Sequence, residues 1–147
     1  MVELSNFYDF KGQTIKLDAD IVVNEGNAAD WAEEAPEKKW FPIRKFAGTF
    51  DGQGHTISGL YSSVADIAMA MFADTNESAV IRDFKLVNTY FHTWGNKGTA
   101  SISSNGGGTF KRIYTDAILD CEDGYCGGLL SRVQYQNCSL EECWFDG

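Results

Sequence analysis

Proline is scarce in this chain, with two in 147 residues against fifteen glycines. That balance suits many tight turns between short strands better than a helical bundle. Long apolar runs are missing as well: none approaches the roughly 18–20 residues that cross a bilayer, so no membrane insertion is expected. The first residues, MVELSNFYDF, lack the basic and apolar regions of a secretory signal. Basic residues are outnumbered, 12 against 21, and the net charge is −9. Such a field repels a phosphate backbone. Lys38, Lys39, Arg44 and Lys45 form no continuous stripe, so no nucleic-acid partner is expected. Cysteine is absent from the first 120 residues, and all four stand in the last 27 as Cys121, Cys126, Cys138 and Cys143. Their C-x4-C spacing is loose for a zinc ribbon. Reduced core thiols are the favoured reading, with a local disulfide as the alternative.

What is present in quantity is apolar and aromatic. Hydrophobic residues make up 44% and aromatics 14%, without a long stretch of 3.6-residue periodicity. The chain is long enough for one core and short for two, so residues 1–147 are read as a single, mostly β domain.

A repeat lies inside the strand pattern. Four segments carry an apolar pair three positions apart: Ile57/Leu60, Ile81/Phe84, Phe110/Ile113 and Leu140/Cys143. First anchors are separated by 81−57 = 24, 110−81 = 29 and 140−110 = 30 residues, and the second anchors by the same steps. A weaker row precedes them in Ala70–Phe72, Ser101–Ser103 and Gly128–Leu130, with polar turn segments between the two rows. Units this short cannot close a core alone; stacked in parallel, they bury a continuous column. The expected fold is therefore an all-β parallel β-helix of about four to five coils. The tract near residues 24–40 stands outside the repeat as an inserted loop or short helix, with Asn27 or Asp30 as its cap. Phe7, Tyr8 and Phe10 are read as a cap on the N-terminal end of the column.

The segment Phe46–Leu60, FAGTFDGQGHTISGL, resembles the F-x-G-x-F-D-G-x-G-H-x-I-x-x-L signature of GLUG-type repeat regions in bacterial surface and secreted proteins. Leu17–Ile21, Trp40–Ile43, Ile81–Leu86 and Gly127–Leu130 extend the likeness over roughly residues 13 to 147. Arg44 stands where the pattern has glycine, and the GTASISSNGGG unit lacks its bulky row. The resemblance implies a right-handed helix of the filamentous-haemagglutinin or pectate-lyase kind, and a cell-surface or secreted location. The chain alone leaves a cytoplasmic one open.

The expected role is a non-enzymatic structural or binding module, adhesin-like, for protein, glycan or self-association. Its alternatives are a polysaccharide lyase or glycosidase-like enzyme and a small stand-alone oligomer. Candidate ligand contacts are Trp31 and Trp40 in the insertion, and Tyr90 and Trp94 in the cluster Tyr90-Phe91-His92-Trp94. For Trp31 and Trp40, packing across the solenoid is the favoured reading over a sugar platform. Asp83, Arg82, Arg112, Glu141 and Glu142 are expected to share one outer face, as an enzyme would need or as ordinary alternating surface charge. His55 is read as a strand residue bonded to a neighbouring turn. No catalytic residue, metal ligand or cofactor is assigned. The C-terminal coil is the expected site of any homo-oligomer.

Overall fold

The computed structural model describes residues 8–147; Phe7, assigned to the N-terminal cap, lies outside them. The chain is a parallel β-solenoid. Its first coil holds β1 (Thr14–Lys16), β2 (Ile21–Val22) and a 3-10 turn at Ala28–Asp30. The second is cut into β3 (Thr49–Asp51), β4 (Thr56–Ser58), β5 (Tyr61–Ala65) and β6 (Phe72–Asp74). Thereafter the strands run on around the corners. They are β7 (Val80–Trp94), β8 (Gly98–Thr99), β9 (Ser103–Cys121), β10 (Tyr125–Cys126), β11 (Leu130–Glu141) and β12 (Trp144–Asp146). Every recorded strand pair is parallel. Among the described residues no helix is long and apolar enough to cross a membrane.

Side chains one circuit apart sit over one another because parallel pairing places each strand beside its counterpart in the next coil. One file runs Ile15, Phe50, Ile81, Phe110, Leu140. A second runs Ile21, Ile57, Leu86, Thr115, Phe145. A third runs Ile43, Phe72, Ser103, Leu130. Three coils, those of Phe50, Ile81 and Phe110, have a neighbour on both sides along the first file; the rungs of Ile15 and Leu140 close its ends. Of the four to five coils expected, three are thus flanked on each face.

The register corrects the repeat as read from sequence. Phe84 lies beside Ile113 as expected. Ile57, however, pairs with Leu86 rather than Ile81, and the strand after Leu60 pairs at Tyr61 with Tyr90. Leu60 is fully buried but belongs to a different side of the coil from Phe84. The Thr56–Leu60 segment has its partner in the repeat at Lys85–Thr89, one side of the coil later than Ile81–Phe84. Phe50 is the residue that completes the first file.

The glycine- and serine-rich middle unit fills its share of the interior with hydroxyls. Ser101, Ser103 and Ser104 are buried. Ser101 Oγ donates to the Gly128 carbonyl at 2.6 Å, and Ser104 Oγ to that of Gly98 at 2.8 Å. Ser103 Oγ and Thr75 Oγ1 lie 3.1 Å apart, and Thr75 Oγ1 accepts from the Gly107 amide. Buried polar groups paired in this way avoid the desolvation penalty of lone ones. The polar segment Ser104–Gly108 turns a corner without a break in β9: residues up to Asn105 pair with β6, those from Thr109 with β7, and Gly108 is left-handed (φ 89°).

The insertion folds back on the coils. Asn27 caps the 3-10 turn by accepting from the Ala29 amide. Asn24, buried at its base, donates to the carbonyls of Lys38 and Gly59 and accepts from the Lys38 amide. Asn88, two coils on, accepts from the Ala28 amide and donates to the Gly26 carbonyl. At the N-terminal end Phe10 is buried 5.8 Å from Phe46, whereas Tyr8 is half exposed against Phe10.

The cysteine expectation is also corrected. Cys121 and Cys126 form a disulfide, while Cys138 and Cys143 are free, half-buried and packed against the core. Burial pushes the Cys138 thiol above its ordinary range.

Candidate functional site

At one corner of the coils from Phe50 onward the chain leaves the first file in a left-handed residue. These are Gln53 (φ 51°), Asp83 (φ 61°), Arg112 (φ 51°) and Glu142 (φ 52°). Their spacings are 83−53 = 30, 112−83 = 29 and 142−112 = 30 residues, so they form a ladder along the solenoid. Side chains other than glycine are strained there by about 1–2 kcal/mol each, and asparagine and aspartate tolerate it best. The pairing of strands on both sides holds the corner in place. Gly52 sits just before it, where an added Cβ would fall on the Cβ of Phe84.

The ladder borders an open groove of about 610 Å³. Its walls include Asp51, Gln53, Asp83, Lys85, Arg112, Tyr114, Glu142 and Trp144. Arg112 grips both carboxylate oxygens of Asp83, at 2.5 and 2.9 Å. Arg82 reaches Asp51 at 3.1 Å, and Lys111 meets Glu141 at 2.9 Å. The Arg112 hydrogen bond holds the Asp83 carboxyl below the usual range, with Arg82 and Lys111 adding to the effect. Of the charged residues singled out from sequence, Asp83, Arg112 and Glu142 line the groove, Arg82 lies 3.7 Å from Asp83 beside it, and Glu141 is engaged by Lys111. In register with Lys85, Tyr114 and Trp144 occupy successive rungs, and Trp144 is 66% exposed. Desolvation, then Asp146 and Asp116, raise the Tyr114 hydroxyl above its ordinary range.

The candidate aromatics lie elsewhere: Trp31 and Tyr90 share one buried cluster through Tyr61, while Trp40 and Trp94 are not part of it. Trp31 is buried edge-on against Tyr61, which stacks on Tyr90 at 5.9 Å. Trp40 is partly buried, its Nε1 within reach of the Ala70 and Met71 carbonyls. Both indoles therefore pack the insertion onto the solenoid. Tyr90 is buried, and its hydroxyl donates to Asp120 at 3.3 Å. Trp94 is 40% exposed beside His92. His55 lies 3.2 Å from Asp20 of the preceding coil, whose carboxylate also accepts from the Thr56 amide; those contacts lower the Asp20 pKa.

Sequence reasoning missed two arrangements. Tyr114 and Trp144 were never linked, although their spacing, 144−114 = 30, is one repeat. The second is a relay across three coils. Ser63 Oγ lies 2.9 Å from His92 Nδ1, and His92 Nε2 lies 3.2 Å from Glu122. Ser63, His92 and Glu122 are one period apart, and that spacing was the available signal. The strand amides of Ser63 and His92 run in parallel ladders, which engages the donors an oxyanion site needs.

Among the described residues no three of His, Cys, Asp and Glu come together as a metal-binding group. No family model, curated protein or solved structure matches the chain.

Proposed function

We propose that this chain is a non-enzymatic structural and binding module, of the adhesin-like surface or secreted kind that its signature segment suggests. It offers rigid outer faces to protein or glycan and associates with further coils through its last rung. The observation that carries this reading is an unequal distribution of exposure. Phe50, Ile81 and Phe110 are sealed to about 1% exposure or less, whereas Val133 and Leu140 of β11 are more than half exposed. An apolar edge with unpaired strand groups is a template for another strand. A second copy, or a further coil of the same period, completes it.

Light scattering across a dilution series tests the self-association. The expected outcome is a mass that rises with concentration, and its loss in Val133→Lys/Leu140→Lys. A constant monomer mass in the unaltered chain removes that part of the proposal.

A polysaccharide-acting enzyme is the second reading, favoured by the gathering of acid and base in one groove. It is weakened by the pairing of those same groups: Asp83 is held ionised by Arg112, and Arg82 is engaged with Asp51. A general acid or base needs a proton affinity poised near the working pH. Cleavage of a pectin-like acidic polymer, assayed with and without Ca²⁺, would promote this reading, and its absence would retire it.

A further inference from the structure

The geometry points to the corner groove of Tyr114 and Trp144 as a binding site for an uncharged oligosaccharide. The inference rests on the binding-module reading and specifies its site and ligand class.

Three observations combine. Trp144 and Tyr114 project outward from adjacent rungs, while the next residue of β12, Phe145, turns inward onto Gly128. An exposed indole thus stands beside a phenol, on rungs about 4.8 Å apart. Aromatic residues of this kind present an apolar body with a polar tip, which suits the mixed faces of a pyranose. Next, the corner ladder Gln53, Asp83, Arg112 and Glu142, an amide followed by charged groups, borders the same groove two residues before them. At one strand spacing per rung it extends about 14 Å, long enough for a short chain of sugars laid along the axis. Carboxylate, guanidinium and amide together supply both donors and acceptors for hydroxyl groups. Finally, the charges cancel locally. Asp51, Asp83 and Glu142 line the groove against Lys85 and Arg112, and Arg112 is bonded to Asp83, so the groove has no surplus cationic field. The chain as a whole carries −9. An anionic polymer would approach against that field, whereas a neutral glycan loses nothing by it. The left-handed corner also holds the wall rigid, which limits the ordering cost of binding.

The experiment uses the full chain on a printed array of oligosaccharides that carries neutral and uronic-acid-containing members. Binding of the strongest neutral member is then titrated by tryptophan fluorescence and calorimetry. The expected result is selection of neutral over uronic members, with a loss of about tenfold or more in affinity for Trp144→Ala. Tyr114→Ala and Arg112→Ala are expected to weaken binding as well. Trp144 is mostly exposed, so Trp144→Ala keeps the fold, and circular dichroism verifies it. Preference for uronic members, or no binding of any neutral member, overturns the proposal. Binding of a neutral member with unchanged affinity in Trp144→Ala also overturns it, while leaving the binding-module reading standing. Failure of the module's self-association is read separately, from the dilution series.

Discussion

The coil of Phe110 and the coil of Leu140 are built from the same pattern, yet they have opposite surroundings. Phe110 and Leu140 are neighbours in one file, and Lys111 faces Glu141. Phe110 is 1% exposed and Leu140 52%. The difference is whether a further rung lies above, not the local sequence. In a solenoid the burial of a side chain is decided by its counterpart one period away, so equal patterns give unequal energies.

The sharpest way to break this comparison is to truncate both members of the file. Phe110→Ala is expected to cost about 3–5 kcal/mol, the range for a buried aromatic. Leu140→Ala should cost well under half of that, because much of its side chain is already in water. Urea unfolding of both variants measures the difference, and equal losses would mean that the last coil is as tightly packed as the inner ones.

Overpacking gives a second, smaller effect. Gly52→Ala places a methyl group on Phe84 and the Asp83 carbonyl, and is expected to cost about 1–3 kcal/mol. Its readout is the shift in unfolding midpoint at unchanged slope. Gly54, at the same corner, has nothing within 4 Å of its added Cβ but a φ of +80°. Gly54→Ala therefore separates backbone strain from collision.

A stabilising change is expected within the second file. Thr115 is fully buried between Leu86 and Phe145, and its Oγ1 has no hydrogen-bond partner. Thr115→Val keeps the branched shape and removes the unsatisfied hydroxyl, for a gain of about 1 kcal/mol. A loss of stability on thermal denaturation would contradict this account.

The smallest effect is electrostatic. Asp83 has a depressed folded-state pKa, first through its Arg112 hydrogen bond. Its stabilisation is therefore full above the ordinary carboxylate range and is lost as pH falls through the lower, folded value. Asp83→Asn should flatten that part of the acid limb in a pH series of unfolding midpoints while leaving the region above pH 6 parallel. The exposed setting keeps the effect modest.

Much of the architecture was legible before any coordinates. The 29- and 30-residue steps from Ile81 through Phe110 to Leu140 gave the stacking, and Asn27 gave the cap of the insertion. The step of 24 back to Ile57 misled, because Ile57 and Phe50 are both apolar residues of one coil and only strand register tells which lies beneath Ile81. The pairing of Cys121 with Cys126 was equally open, since C-x4-C spacing alone admits thiols, a bridge or a metal. At the groove, Asp83 and Arg112 were recognisable as a shared face, but Tyr114 and Trp144 were not. They carry no motif, and their one-repeat spacing says nothing of the outward direction they share.

By itself, then, the order of residues determined that this protein stacks. Periodic oily side chains that cannot close a core within one unit must find it in the next. Tertiary structure alone decided which side chains meet across the rungs and which charges cancel. Those outcomes depend on contacts between residues about thirty positions apart, where a shift in register by a few residues exchanges one set of neighbours for another.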